Sequence, residues 1–142
     1  MKPLLISALL LFFVSTAFAQ GSFVTISNGG GFTGAVTAYK VYKDGTVLKG
    51  KGIPLNYTET ARLKRSKAKK YCKRIKTQVA SLPDFNHPGN VYYSIAIVDE
   101  GQERKVVWGD SKYPVSEEVL KLYNDMLTAF SHLSFTTIVQ QH

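Results

Sequence analysis

Apolar and polar positions alternate through the first part of the chain, the period of a half-buried strand. Ser22–Ser27, "SFVTIS", carries β-branched residues in that pattern and predicts a strand. Ala35–Lys43, "AVTAYKVYK", predicts a longer one, with Thr37, Tyr39 and Val41 on one face and Val36 and Tyr42 on the other. Asp44-Gly45 follows, a dipeptide whose backbone freedom suits a two-residue hairpin turn. "VLKGKG" then predicts the returning strand, weakened by Gly50 and Gly52 and ended by Pro54.

The period changes at "SKAKKYCKRIKTQV". Ala68, Cys72, Ile75 and Val79 recur at the spacing of one helical stripe, with Ser66 placed to cap the helix. Ser81–Asn90 carries Pro83, Pro88 and Gly89 and predicts a loop. Val91–Val98 predicts a strand, "DEGQ" a turn, and "RKVVWG" its return. From Pro114 to Leu133 the helical period is restored. Val119, Leu122, Tyr123, Met126, Leu127 and Phe130 form an apolar face, and Glu117 and Glu118 favour the helix dipole in the first turn. The tail, "SFTTIVQQH", is either a last short strand or a fraying end from about residue 134. The expected order is β-β-β-α-β-β-α. It predicts an α+β fold, with an antiparallel sheet of about five strands and two helices packed on one face.

The beginning of the chain obeys a different logic. Lys2, the apolar run "LLISALLLFFV" and Ala17-Phe18-Ala19 read as a signal peptide, residues 1–19, cleaved before Gln20. The run falls short of the roughly 20 residues a spanning helix needs. Export to the periplasm or beyond is therefore expected, with residues 20–142 as one domain and no membrane span after cleavage. Cys72 is the single cysteine, so no internal disulfide can form. It sits on the buried stripe of a helix, where free cysteine behaves as a small hydrophobe.

The formal net charge of +8 is unevenly distributed. Arg62, Lys64, Arg65, Lys67, Lys69, Lys70, Lys73, Arg74 and Lys76 crowd one segment. Such a run suits phosphate groups, but export puts intracellular nucleic acid out of reach. The targets left are anionic glycans, lipopolysaccharide or a membrane surface. The bland alternative is a solvated helix face.

Catalytic chemistry is poorly provided for. His87, His132 and His142 have no metal-ligand spacing, and no nucleophile elbow is present. Cys72 with His87 or His132 is the one conceivable nucleophile and base, and a buried stripe suits that role badly. Asp84, Asp99, Glu100 and Asp110 fall in turns, where turn geometry accounts for them. No enzyme activity, cofactor or metal is expected. Asn56-Tyr57-Thr58 matches the glycosylation sequon, and Trp108 with Tyr92, Tyr93 and Tyr113 is either core or binding surface.

The segment Gly29-Gly30-Gly31-Phe32-Thr33-Gly34 raises the sharpest question. A phosphate loop must open a helix, whereas this one leads into a strand. It is either a flexible hairpin or a recognition loop that presents Phe32 and Thr33 on glycine backbone. Gly30-Gly31-Phe32-Thr33-Gly34, then Tyr93, Ile95 and Ile97, then Asp110, Pro114 and Leu120 to Leu127 follow an order that resembles emfourin, the family of small inhibitors of thermolysin-like metalloproteases. The order is also similar to that of small secreted Bacteroidetes proteins. This chain adds the Asp44-Gly45 hairpin, a longer central loop and a more basic first helix. The resemblance implies an α+β inhibitor whose glycine loop enters a protease cleft with Phe32 as its anchor. The reading taken forward is an exported, non-enzymatic binding protein, an inhibitor of a secreted or periplasmic metalloprotease through Gly29–Gly34. The alternative is an electrostatic binder of an anionic surface or glycan through residues 62–76.

Overall fold

The computed structural model describes residues 21–139. The expected signal peptide, its expected cleavage point and His142 lie outside the described residues. Strands β1 (Phe23–Gly30), β2 (Val36–Tyr42), β3 (Thr46–Gly52) and β4 (Asn56–Arg62) come first. Helix α1 (Arg65–Ser81), strands β5 (Val91–Asp99) and β6 (Gln102–Trp108), helix α2 (Glu117–Ser131) and the short strand β7 (Thr136–Thr137) complete the order. The strands form one antiparallel sheet of seven, ordered β6-β5-β1-β2-β3-β4-β7. The fold is α+β, as the pattern predicts, with more strands than the expected five.

The two added strands explain the difference. β4 pairs with β3 and was invisible as a strand because "NYTETAR" is polar at nearly every second position and has little apolar signal. It returns the chain immediately after the turn around Pro54, where the sequence reading stopped. β7 contributes only Thr136 and Thr137, paired with Thr60 and Glu59 of β4. The tail is thus a short strand as far as residue 137.

Val24, Ile26, Val41, Val47, Ile95, Ile97, Val106 and Trp108 share one sheet face and one core with both helices. From α1 come Ala68, Tyr71, Cys72, Ile75 and Val79, the predicted stripe with Tyr71 added. From α2 come Val119, Leu122, Tyr123, Met126 and Phe130. Leu127, expected on that face, is partly exposed because it falls at the stripe's edge. Met126 and Phe130 are wholly buried, and each such side chain contributes roughly 2–3 kcal/mol of transfer free energy. Trp108 packs against Tyr93 and Tyr123, with ring centroids 5.9 and 5.3 Å away, so it belongs to the core.

The helices begin differently. Ser116 caps α2, its Oγ accepting from the Val119 N–H at 3.4 Å. At α1 the capping position is Lys64, not Ser66, and no side chain caps the helix. Ser66 instead lies inside the first turn, one residue beyond Arg65. The exposed edge of β6 is sealed by the loop after α1. His87 N–H donates to Val107 O at 2.9 Å, and Val107 N–H donates to Phe85 O at 3.0 Å. Covering an edge in this way blocks unwanted strand addition.

Candidate functional site

The strands give the molecule two unlike ends. At one end lie the β1–β2 turn, the β3–β4 turn and the start of β5. At the other lie the start of β1, the β2–β3 turn, the end of β5 and the beginning of α1.

The glycine segment divides between strand and turn. Gly29 and Gly30 belong to β1, opposite Tyr92 and Val91 of β5, and so are not loop residues as expected. Gly30 has φ 86°, and a Cβ there would lie 2.2 Å from the Asn90 carbonyl oxygen. Only glycine permits that approach. Gly31 and Gly34, also at positive φ, bracket Phe32 and Thr33. Gly31 N–H donates to Asn90 O at 2.7 Å, and Gly34 N–H donates to Gly31 O at 3.3 Å. Thr33 Oγ1 accepts from the Ala35 N–H at 3.3 Å. The glycines therefore serve a fixed turn and are not a source of slack.

Phe32 stands at the tip of this turn with a relative exposure of 107%. Other exposed side chains at this end are apolar as well. Ile53 of the β3–β4 turn is 68% exposed, and its Cδ1 lies 3.6 Å from where a Cβ on Gly34 would stand. Val91, at the start of β5, lies beside Gly31. Leu55 adds a fourth partly exposed apolar side chain. Sequence reasoning missed Ile53, Leu55 and Val91. The signal was available: "IPL" is an apolar triplet in a turn between Gly52 and Asn56, where polar residues are the norm.

The helix-free face of the sheet joins this end. Its centre is built from small residues: Ser27, Ala38, Ser94 and Ala96. Ala38 and Ser94 are buried although no helix covers them, because taller neighbours wall them in. Phe23, Tyr57, Tyr92 and Leu55 line the resulting trough of about 330 Å³. On its floor Ser27 Oγ and Ser94 Oγ are 2.5 Å apart. Lys40 Nζ sits between two rings, 4.6 Å from Phe23 and 4.5 Å from Tyr57. Burial pushes the Tyr57 hydroxyl above its ordinary pKa, with a smaller contribution from Tyr42. Tyr92 lies on this face, Tyr93 on the helix face, and Tyr113 stacks on His87 at 4.1 Å. The aromatic residues considered with Trp108 do not form one surface.

The opposite end is basic. Lys64, Arg65, Lys67, Lys69, Lys70 and Lys73 have no carboxylate partner within salt-bridge distance among the described residues. Three other cations of the segment do. Arg62 reaches Asp44 at 4.0 Å, Arg74 reaches Asp125 at 3.4 Å, and Lys76 reaches Asp99 at 3.1 Å. The Asp44 carboxyl is held below its ordinary pKa first by the Thr46 N–H and then by the Thr46 hydroxyl. Asp99 is held low first by its hydrogen bond from Ser22, then by Lys76.

Cys72 is buried on α1, and burial pushes its thiol pKa up, the opposite of an activated nucleophile. His87 stacks on Tyr113 and meets Phe85 edge-on, and His132 follows α2 as its C-cap. Neither histidine is hydrogen-bonded to Cys72. Among the described residues no cluster of three His, Cys, Asp or Glu side chains is placed to hold a metal. Among them, too, no helix is long and apolar enough to cross a membrane.

No protein-family model matches the chain, and no curated protein matches it.

Proposed function

We propose that this chain is an exported, non-enzymatic binding protein that inserts Phe32 into the cleft of a protein partner, and that the partner is a thermolysin-like metalloprotease. The observation that carries the reading is the full exposure of Phe32 on a turn pinned to Asn90. Buried aromatic anchors dominate the energetics of protein interfaces. A turn already fixed by hydrogen bonds loses little conformational freedom on docking, which leaves more of the contact energy as affinity. Ile53, Leu55 and Val91 supply the apolar surround that would exclude water around such an anchor. The choice of protease rests on the resemblance of the ordered motifs to emfourin.

The test is an inhibition titration of the mature protein, from Gln20, against thermolysin-like proteases, with the intact mass followed throughout. Stoichiometric inhibition by an uncut chain is expected. Phe32→Ala should weaken it by about a hundredfold, the size of a strong interface anchor. Absence of inhibition, or rapid cleavage between Asn28 and Gly34, defeats the proposal.

A second reading is favoured by the unpaired cations of α1. There the basic end holds an anionic surface or glycan, with no role for Phe32. Ionic strength separates the two readings, because exposed charge contacts are screened within about 8–10 Å at ordinary salt and apolar cleft contacts are not.

A further inference from the structure

A pocket at the basic end carries more chemistry than a charged surface needs. Lys69, Cys72, Lys73 and Lys76 line it from α1, Lys43 from just beyond β2, and Ile97 and Asp99 from β5. The α1 residues fall at helical spacings that place them on one side of the helix. The volume is about 330 Å³. Cys72 and Ile97 are apolar and almost wholly buried, so they provide a hydrophobic floor. The lysine stems extend that apolar lining upward, and their ammonium groups form the rim.

The rim is not electrically balanced. Asp99 is its single carboxylate, and it is already engaged by the Ser22 hydroxyl and the Lys76 ammonium. Lys43, Lys69 and Lys73 have no carboxylate within salt-bridge distance among the described residues. Lys69 and Lys73 stand one helical turn apart, a like-charge arrangement that disfavours the helix. An anion between them would remove that repulsion.

We infer that this pocket binds a single-chain amphipathic anion, with a phosphate or carboxylate head between Lys43, Lys69 and Lys73 and the first carbons of its chain over Cys72 and Ile97. The site lies at the opposite end of the sheet from Phe32, so it stands or falls independently of the inhibitor reading. It differs from a flat electrostatic face because the apolar floor selects against inorganic anions.

The experiment titrates the mature protein by calorimetry with dodecyl phosphate below its micelle concentration. Inorganic phosphate, dodecyltrimethylammonium and anionic phosphatidylglycerol vesicles are the comparison arms. Saturable binding of dodecyl phosphate is expected, weakened tenfold or more in Lys69→Ser/Lys73→Ser, whose two exposed positions leave the core intact. Inorganic phosphate should bind at least tenfold more weakly than dodecyl phosphate. Cys72 supplies a second reading, since it is the chain's single thiol. Its labelling by a thiol reagent should slow in the presence of dodecyl phosphate and be unaffected by inorganic phosphate.

The proposal is overturned by no binding, by equal binding of inorganic phosphate, or by equal binding of the cationic detergent. Affinity unchanged in the double variant overturns it too. Binding to vesicles with none to monomeric dodecyl phosphate would mean surface attraction alone, and would also overturn it.

Discussion

The two ends of the sheet are separated by the length of β1, about 23 Å at the usual rise per residue. They differ in how they are exposed. The Phe32 end shows apolar side chains on a backbone tied down by hydrogen bonds and glycine geometry. The lysine end shows charge on a helix whose own start is poorly provided for. Lys64 and Arg65 occupy positions where the helix dipole disfavours cations, and no side chain satisfies the first amide groups. α2, capped by Ser116 and led by Glu117 and Glu118, starts with both a side-chain cap and charges that suit the dipole. The contrast teaches that local rules are broken at both ends, toward exposed apolar side chains at one and uncompensated positive charge at the other.

The largest expected effect tests whether the Phe32 turn is truly fixed. Gly30→Val would place a Cβ against Asn90 O and force a branched residue to positive φ. It should cost roughly 2–3 kcal/mol in chemical denaturation. A variant as stable as wild type would show that the turn relaxes freely, and the preorganisation argument would go with it. Next comes Lys64→Asp, which supplies α1 with a cap and an anion near its N-terminus. It should stabilise the fold by about 1 kcal/mol in chemical denaturation. A loss of stability would mean that Lys64 has a structural role, and the contrast with α2 would lose its meaning.

Smaller still is the effect of pH at the lysine end. The carboxyl of Asp99 lies below its ordinary pKa in the folded chain, because Ser22 and then Lys76 favour the ionised form. A group depressed in this way stabilises above the ordinary carboxylate range and ceases to do so as pH falls through the folded value. Asp99→Asn should therefore be less stable than wild type at neutral pH, and the two should converge in strong acid. Equal differences at both extremes in urea denaturation would contradict the assignment. The smallest effect is expected of Phe32→Ala, whose stability should stay within about 0.5 kcal/mol of wild type because Phe32 packs on nothing. A clear destabilisation would mean that the ring belongs to the fold and not to a partner.

The sequence was most legible where one face of an element is buried. The stripe from Ala68 to Val79 and the strands at β2 and β5 appear in the structure as read. β4 escaped because it lies beside the margin of the sheet, where burial imposes little on its side chains. The apolar end was half legible. Phe32 stood out between glycines, yet nothing in the order of residues shows that Ile53 and Val91 come to lie beside the glycines that flank it, since that depends on strand register. The lysine pocket was legible only as a charge run. Lys43 joins it from just beyond β2, and Ile97 and Asp99 from β5, and one-dimensional spacing cannot show such a gathering. Ser66 illustrates the reverse failure: a good capping residue is overridden when the helix starts two residues earlier.

The position of β1 has a consequence for timing. It is made before the other described strands, yet it lies inside the sheet between β2 and β5. Its pairing of Val24 with Ile97 joins distant parts of the chain. Contacts of such long sequence separation form slowly. Until β5 has been made, one edge of β1 has no partner, and Val24 and Ile26 lack much of the cover that buries them. The amino-terminal half can close its hairpins early, but the completed fold waits for residues near the far end of the chain.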